Sequence, residues 1–234
     1  DFYIPYNRDF SDESTFLPQI GKEGDMHSVA AEDIVAPEEL SSTQYTVATL
    51  LDGKTLEIQG SAAFLSYSDE VYVSRENIFA SRGYSVEQDD VRSSMTDISC
   101  IRYKDGKLEV LGTATVKGSV KDQYSMDEHQ GILRVVTSTN EIKTTINGET
   151  ASGTLSRNAS LWCIDLQDFT IKAQVENFAP AGEQAESVRF DGDTAYVCTA
   201  EVITLTDPVY FFDLSDLTNI TWKDTGTIDG YSSS

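Results

Sequence analysis

One pattern of strand, polar turn and strand occurs three times in the chain, with a constant step of 62 residues and no gap. The copies cover Ala63–Ser74, Ser125–Val136 and Ser187–Cys198. Apolar residues alternate along the second strand of each copy, as Val71 and Val73 do in the first one. The repeat therefore predicts a hairpin in each copy, and it constrains the architecture more firmly than local propensity does.

A second pattern alternates with the first one along the chain. Residues Tyr45–Gly60 resemble Ile98–Gly112, and each contains an Asp-Gly-Lys sequence typical of a tight hairpin turn. Looser copies occur at Leu161–Lys172 and Val209–Leu217. The order is thus half a unit followed by three units, each of two hairpins.

Four strands in meander order form the blade of a β-propeller. A single four-stranded sheet cannot bury both of its faces, so successive blades are expected to stack with their cores between them. We therefore predict an all-β fold, a β-propeller fragment of about three and a half four-stranded antiparallel blades. The alternative is an ordinary β-sandwich or meander, which the ungapped period disfavours.

The predicted propeller domain covers residues 43–234. Residues 1–42 show no persistent helical period and mix acidic with small residues, so we expect an irregular lead-in segment there.

The chain carries 39 acidic and 17 basic residues, a net charge of −22, while 39% of its residues are hydrophobic. That apolar fraction suffices for a core. The charge repels phosphate backbones and anionic membranes, which makes nucleic acid a poor candidate partner. No apolar run is long enough to span a bilayer and no signal peptide opens the chain, so any membrane attachment is expected through parts outside it.

The three cysteines, Cys100, Cys163 and Cys198, lie within apolar or β-branched stretches and are expected to be buried free thiols. An odd number at wide spacing disfavours a disulfide framework, and the distant His27 and His129 disfavour a zinc site.

The densest group of potential metal ligands is Asp122, Asp127, Glu128 and His129. Carboxylates at this density are a candidate site for calcium, which prefers oxygen ligands. The order lacks the alternating spacing of a dedicated calcium loop, and the alternative is solvation at a strand edge or capping of turn amides.

Two long loops are expected on the ligand-binding face, residues 75–95 and 137–159. Their acidic residues are candidates for general acid and base in a carbohydrate-active hydrolase, namely Glu76, Glu87, Asp89, Asp90, Glu141 and Glu149. The second loop also contains an Asn147-Gly148 turn.

Other catalytic signatures are weak. The sequence has no Gly-x-Ser-x-Gly motif, and two histidines offer few bases for a nucleophile. Trp162, Tyr210 and Trp222 could stack on sugars, but within strands they are expected in the core.

Six short stretches of the sequence resemble a family of secreted or surface-anchored bacterial proteins with a C-terminal β-propeller domain. The matching stretches are residues 122–128, 131–135, 187–193, 195–197, 207–208 and 212–216. The similarity covers roughly residues 40–234, and it implies a propeller fold and a location outside the cytoplasm. It also implies that this chain is a middle portion of a propeller, and it supplies no activity or catalytic residues.

The expected function is a noncatalytic extracellular or cell-surface module for binding a protein or glycan ligand, and the hydrolase is the alternative. Because the chain supplies three and a half units, the half blades of two copies are expected to complement each other in a homodimer.

Overall fold

The structure, a computed structural model, describes residues 2–3, 9, 11–36, 44–147, 150–200 and 206–229. These residues form eighteen β-strands, three 3-10 helices and no α-helix. The 3-10 helices are Glu13–Thr15, Ala31–Asp33 and Gln123–Ser125. The all-β prediction is confirmed.

The chain forms two compact units. The first contains Asp1–Arg82 and Ser99–Thr113, and the second contains Gly83–Ile98 and Ala114–Ser234.

The first six strands build two small sheets. Strands β1 to β3 form an antiparallel sheet in chain order, whereas in the second sheet β6 lies between β5 and the parallel strand β4. The strands are β1 Phe2–Tyr3, β2 Gln19–Lys22, β3 Asp25–Ser28, β4 Ile34–Val35, β5 Thr46–Leu51 and β6 Ile58–Phe64. The β5–β6 hairpin is the half unit expected at Tyr45–Gly60.

The remaining twelve strands form three antiparallel meanders of four strands each, β7–β10, β11–β14 and β15–β18; β9 and β12 join the first two into one eight-stranded sheet, and the third is a separate sheet. The first blade consists of β7 Glu70–Val73, β8 Asn77–Gln88, β9 Val91–Lys104 and β10 Lys107–Lys117. The second consists of β11 Met126–His129, β12 Ile132–Asn147, β13 Thr150–Asp165 and β14 Ile171–Val175. The third consists of β15 Gln184–Asp191, β16 Thr194–Ala200, β17 Thr206–Asp213 and β18 Thr221–Asp229. The three and a half predicted blades are therefore present.

Tight turns join the paired strands of the first two blades. At Asp105 and Gly106, between β9 and β10, φ is +53° and +73°, and at Gln130 and Gly131, between β11 and β12, it is +52° and +79°. Two consecutive residues with positive φ match the right-handed twist of the flanking strands, which explains the Asp-Gly sequence.

The first copy of the 62-residue repeat, Ala63–Ser74, is not a hairpin, although the other two copies are. Strand β6 pairs with β5, and β7 pairs with the following strand β8, with Val73 opposite Ile78. The backbone N–H of Ser74 donates to the Asn77 carbonyl at 2.9 Å, so a local turn gives β7 its partner from downstream.

The prediction of two long loops at residues 75–95 and 137–159 is also wrong, because both segments are hairpins. They form β8–β9 and β12–β13, and the latter pair runs for sixteen residues on each strand. Their outer halves carry polar residues on both faces, so they lack the apolar alternation that identifies a half-buried strand.

An extensive apolar core lies between the second and third blades. It contains Ala159 and Leu161 of β13 together with Val197 and Phe212 of the third blade, all fully buried. Phe178, on the connection between the blades, packs edge-on against Phe212 with ring centroids 4.9 Å apart. Stacking of successive blades around a shared core is what the repeat predicts.

A second core belongs to the first unit, where Ala62 and Phe64 of β6 pack with Val35, Ala80 and Ile101. Short strands also occur within residues 1–42, and the assignment of that segment as a separate lead-in stays a prediction.

Candidate interaction surface

The outer halves of the two long hairpins join into one exposed sheet, which we call the hairpin arm. It consists of residues 84–94 of β8–β9 with residues 140–147 and 150–157 of β12–β13. Strands β9 and β12 join it, with Ser93 opposite Glu141 and Val91 opposite Lys143. The backbone N–H of Thr144 also donates to the Asp90 carbonyl at 2.8 Å. The first and second blades are thus connected edge to edge.

Both faces of the hairpin arm are open to solvent. Ile142 and Leu155 lie directly opposite each other on β12 and β13 and are 42% and 48% exposed. Hydroxyl side chains dominate the neighbouring exposed positions, which include Thr145, Ser152, Thr154 and Ser156. A two-sided, mainly polar sheet of this kind can contact a partner over a large area.

Two of the predicted catalytic acids make ion pairs. Glu141 lies 2.6 Å from the Lys117 ammonium, and Glu76 lies 3.0 Å from that of Lys104. The hydrogen bond from Lys104 lowers the pKa of Glu76. Glu87, Asp89 and Asp90 are exposed at the tip of the β8–β9 hairpin. Glu149 and Gly148 lie outside the described residues.

The four candidate metal ligands have separate tasks. Asp122 accepts hydrogen bonds from the backbone N–H groups of Tyr124 and Ser125, each at 3.0 Å, and so caps a 3-10 helix. Asp127 pairs with Arg134 on the adjacent strand. Among the residues that the structure describes, no group of three or more His, Cys, Asp or Glu side chains is arranged to hold a metal ion.

The other two candidates lie on β11. His129 Nε2 is 3.0 Å from the Asp193 carboxylate. Glu128, which lies between Asp127 and His129 in the sequence, is partly buried. Because successive residues of a strand point to opposite faces, Glu128 points away from both neighbours. Calcium binding by these four residues stays a prediction.

Arg134 connects the second and third blades, and sequence analysis missed it. Its side chain is almost fully buried; Nε donates to Asp127 at 3.0 Å and Nη1 to the Gly192 carbonyl at 2.6 Å. The guanidinium also lies 5.0 Å from the centre of the Phe190 ring. With the contact between His129 and Asp193, these bonds fasten the β11–β12 turn to the β15–β16 turn.

The comparison with protein families agrees with this architecture. A family model described as Beta propeller domain matches residues 5–233. The chain belongs to this family. The sequence matches none of the curated proteins with which it was compared. The propeller match begins within residues 1–42, upstream of the domain boundary expected from the repeats.

The aromatic candidates for sugar stacking mostly lie inside the propeller blades. Trp162 and Tyr210 are each 4% exposed, and the Trp162 indole N–H donates to the Thr137 hydroxyl at 2.9 Å. Trp222 differs from the expectation, since it is 43% exposed, although its ring stacks on Phe212. It lies on β18, the outermost strand of its blade.

The three cysteines all lie in the described part of the chain, and none of them forms a disulfide bond. Cys100 and Cys163 are fully buried, as predicted, whereas Cys198 is only partly buried. Burial raises the pKa of the Cys163 thiol to about 11, so this group is protonated at neutral pH.

A buried polar group in the third blade was not found from the sequence. The Thr199 hydroxyl donates to the carboxylate of Glu183, which is 8% exposed. Burial, with the nearby charges of Glu183 and Asp224, raises the pKa of Tyr210 to about 12. Thr199, Glu183 and Tyr210 are all buried.

The first unit contains a pocket of about 460 Å³, between β2 and the β5–β6 hairpin of the half blade. Its walls are mainly aliphatic, and the lining residues are Ile20, Gly21, Tyr45, Val47, Thr49, Leu51 and Ile58.

In the described residues, no helix is long and apolar enough to cross a membrane.

Proposed function

We propose that this propeller domain is a noncatalytic binding module of an extracellular or cell-surface protein. The observation that supports it best is the hairpin arm, whose two faces are both exposed and rich in hydroxyl groups. Such groups form adaptable hydrogen bonds without a large desolvation cost, which suits a polar protein surface or a glycan. The extracellular location rests on the resemblance to secreted and surface-anchored proteins.

The charge of the domain narrows the class of ligand. With a net charge of −22, the domain repels anionic partners at long range. The ligand we propose is therefore neutral or basic. The carboxylates at the arm tip, Asp89 and Asp90, add local negative charge for a basic group.

The hydrolase alternative has less support. A glycosidase needs one carboxylic acid that stays protonated near neutral pH. The pKa of Glu76 is shifted in the opposite direction, and Glu141 is held in an ion pair with Lys117.

The proposal is tested with an array of neutral and basic glycans and basic proteins, with product release measured for every glycan that binds. Thr145→Arg, on the hairpin arm, should weaken binding at least about tenfold, or 1.4 kcal/mol. Thr221→Arg, at an exposed position of β18, is the matched control and should bind like the wild type. Cleavage of any glycan, or equal loss of binding in both variants, would contradict the proposal.

A further inference from the structure

One edge of strand β13 is, over part of its length, paired with no strand that the structure describes. Its inner edge pairs with β12 from Thr150 to Asp165, but on the outer side β14 pairs with it only from Leu161 onward. Before that point the outer edge accepts two backbone bonds, from Phe178 N–H to the Ala159 carbonyl at 3.1 Å and from Gly182 N–H to the Arg157 carbonyl at 3.0 Å. No described residue bonds the outer edge between residues 150 and 156.

The direction of the backbone groups follows from the pairing. In an antiparallel strand, alternate residues direct their N–H and C=O groups to the two edges. Because the Arg157 carbonyl points outward, those of Leu155 and Gly153 do so too. Leu155 and Gly153 therefore offer two N–H and two C=O groups at exposed positions of the hairpin arm.

This edge has none of the usual protection against pairing. Exposed edges are normally guarded by lysine, other charges, proline or bulges. Residues 150–156, Thr-Ala-Ser-Gly-Thr-Leu-Ser, contain no charged residue and no proline, in a chain whose net charge is −22. The opposite edge of the arm is formed by β8, where Glu87 is followed by Asp89 and Asp90 and so carries charge.

We propose that a second copy of this chain pairs with the free edge of β13, antiparallel and across a twofold axis, so that the two arms form one continuous sheet. An antiparallel edge is complementary to itself, as a twofold contact requires. Two strongly acidic copies can approach closely here because the contacting segment, residues 150–156, carries no charge. Leu155, 48% exposed, adds apolar surface near the axis.

This assembly does not depend on the proposed ligand. Pairing uses the edge and leaves both faces of the hairpin arm open. It is also distinct from complementation through the half blades, which would leave β13 unpaired.

The experiment is sedimentation equilibrium of the full chain from about 1 to 100 μM, a range in which weak dimers dissociate on dilution. The wild type should dimerise, and added salt should tighten the dimer because it screens repulsion between like-charged copies. Ser152→Lys with Thr154→Lys should weaken association at least about tenfold, or 1.4 kcal/mol. Since these lysines reduce the net negative charge, greater overall repulsion cannot explain that loss.

Matched variants separate edge pairing from other effects. Ser85→Lys with Val86→Lys adds the same charge to the β8 edge and should dimerise like the wild type. Leu155→Pro removes an outward N–H without removing a bond to β12, and should give monomers, whereas Leu155→Thr keeps that N–H and should still dimerise. Circular dichroism confirms that each variant is folded.

A monomeric wild type across the whole range would overturn the proposal. So would a wild-type dimer that persists in the β13 lysine variant, as half-blade complementation would produce.

Discussion

Arg134 is the buried charge that holds the junction between the second and third blades. Its side chain is 4% exposed, while that of its partner Asp127 is 28% exposed. Removing one member of a buried pair costs more than the pair contributes, because the remaining charge loses its compensation in a low-dielectric site. The neighbouring pair of His129 and Asp193 is 33% and 53% exposed, so water screens it.

Asp127→Ala should therefore lower the free energy of unfolding by about 3 kcal/mol. Asp193→Ala, the control in the third blade, should lower the free energy of unfolding by less than about 1 kcal/mol. Urea denaturation followed by circular dichroism measures both. Equal losses in the two variants would mean that burial of Arg134 does not control the junction.

At the residue scale, the sequence identified the clustered carboxylates but not the side chains and backbone groups that they bind. Asp122 caps a turn, which was the structural alternative to metal binding, and sequence alone could anticipate it. The pairing of Arg134 with Gly192 joins residues 58 apart and depends on how two blades stack. No local pattern encodes that distance.

Short aspartate turns close the outer hairpins of the second and third blades. Asp165 ends β13 and Asp168 follows it before β14, and likewise Asp213 ends β17 and Asp216 follows it before β18. Each carboxylate accepts a hydrogen bond from a backbone N–H two residues later. The hydroxyls of Thr170, Ser215 and Thr218 also donate to Asp168, Asp213 and Asp216, and these bonds, followed by the backbone ones, lower the pKa of the three carboxyls below the ordinary value of 3.8. The pKa of Asp165 is lowered chiefly by the bond from the Gln167 N–H.

Acid should therefore destabilise the propeller at these elements. A lowered pKa in the folded state contributes stability that is complete above the unfolded value, 3.8, and is lost as the pH falls through the folded values. The urea concentration at the midpoint of unfolding should therefore decrease once the pH falls below about 4. Asp213→Asn with Asp216→Asn keeps the acceptor oxygens but cannot titrate, so the drop should be smaller.

Asp89→Asn with Asp90→Asn is the matched control at a turn where the structure shows no carboxylate capping bond. It should retain the full wild-type drop. If both double variants have the same pH profile, the turn carboxylates do not carry the effect.

Elements with one buried face were predictable, and elements with two exposed faces were not. The β9–β10 and β13–β14 hairpins have apolar alternation and turn residues, so the repeat located both. The outer halves of β12 and β13 lack buried positions and therefore resemble loops in sequence. Their pairing becomes evident only when β9 of the neighbouring blade is placed beside them.

For the whole molecule, the fold depends on blades that bury their faces against one another while the entire chain carries a net charge of −22. The three and a half blades were predictable because a repeated unit with two apolar faces can be covered only by its neighbours. The assignment of strands to the two compact units was not, since β8, β9 and β10 contribute residues to both.

Like charges on the compact molecule repel one another, so salt should stabilise it. Raising sodium chloride from about 0.01 to 0.1 M shortens the screening length from roughly 30 to 10 Å, and the thermal midpoint should rise. At the isoelectric point, near 4.2, the same addition should have little effect. A midpoint that is insensitive to salt at neutral pH would show that self-repulsion contributes little.

The register between β9 and β12 also limits how the sequence can change in evolution. Glu141 through Lys143 pair residue by residue with Ser93 through Val91. A single inserted residue between this contact and its blade would invert every later side chain relative to the sheet. Length changes in either hairpin should therefore accumulate in even numbers, or occur together in both blades.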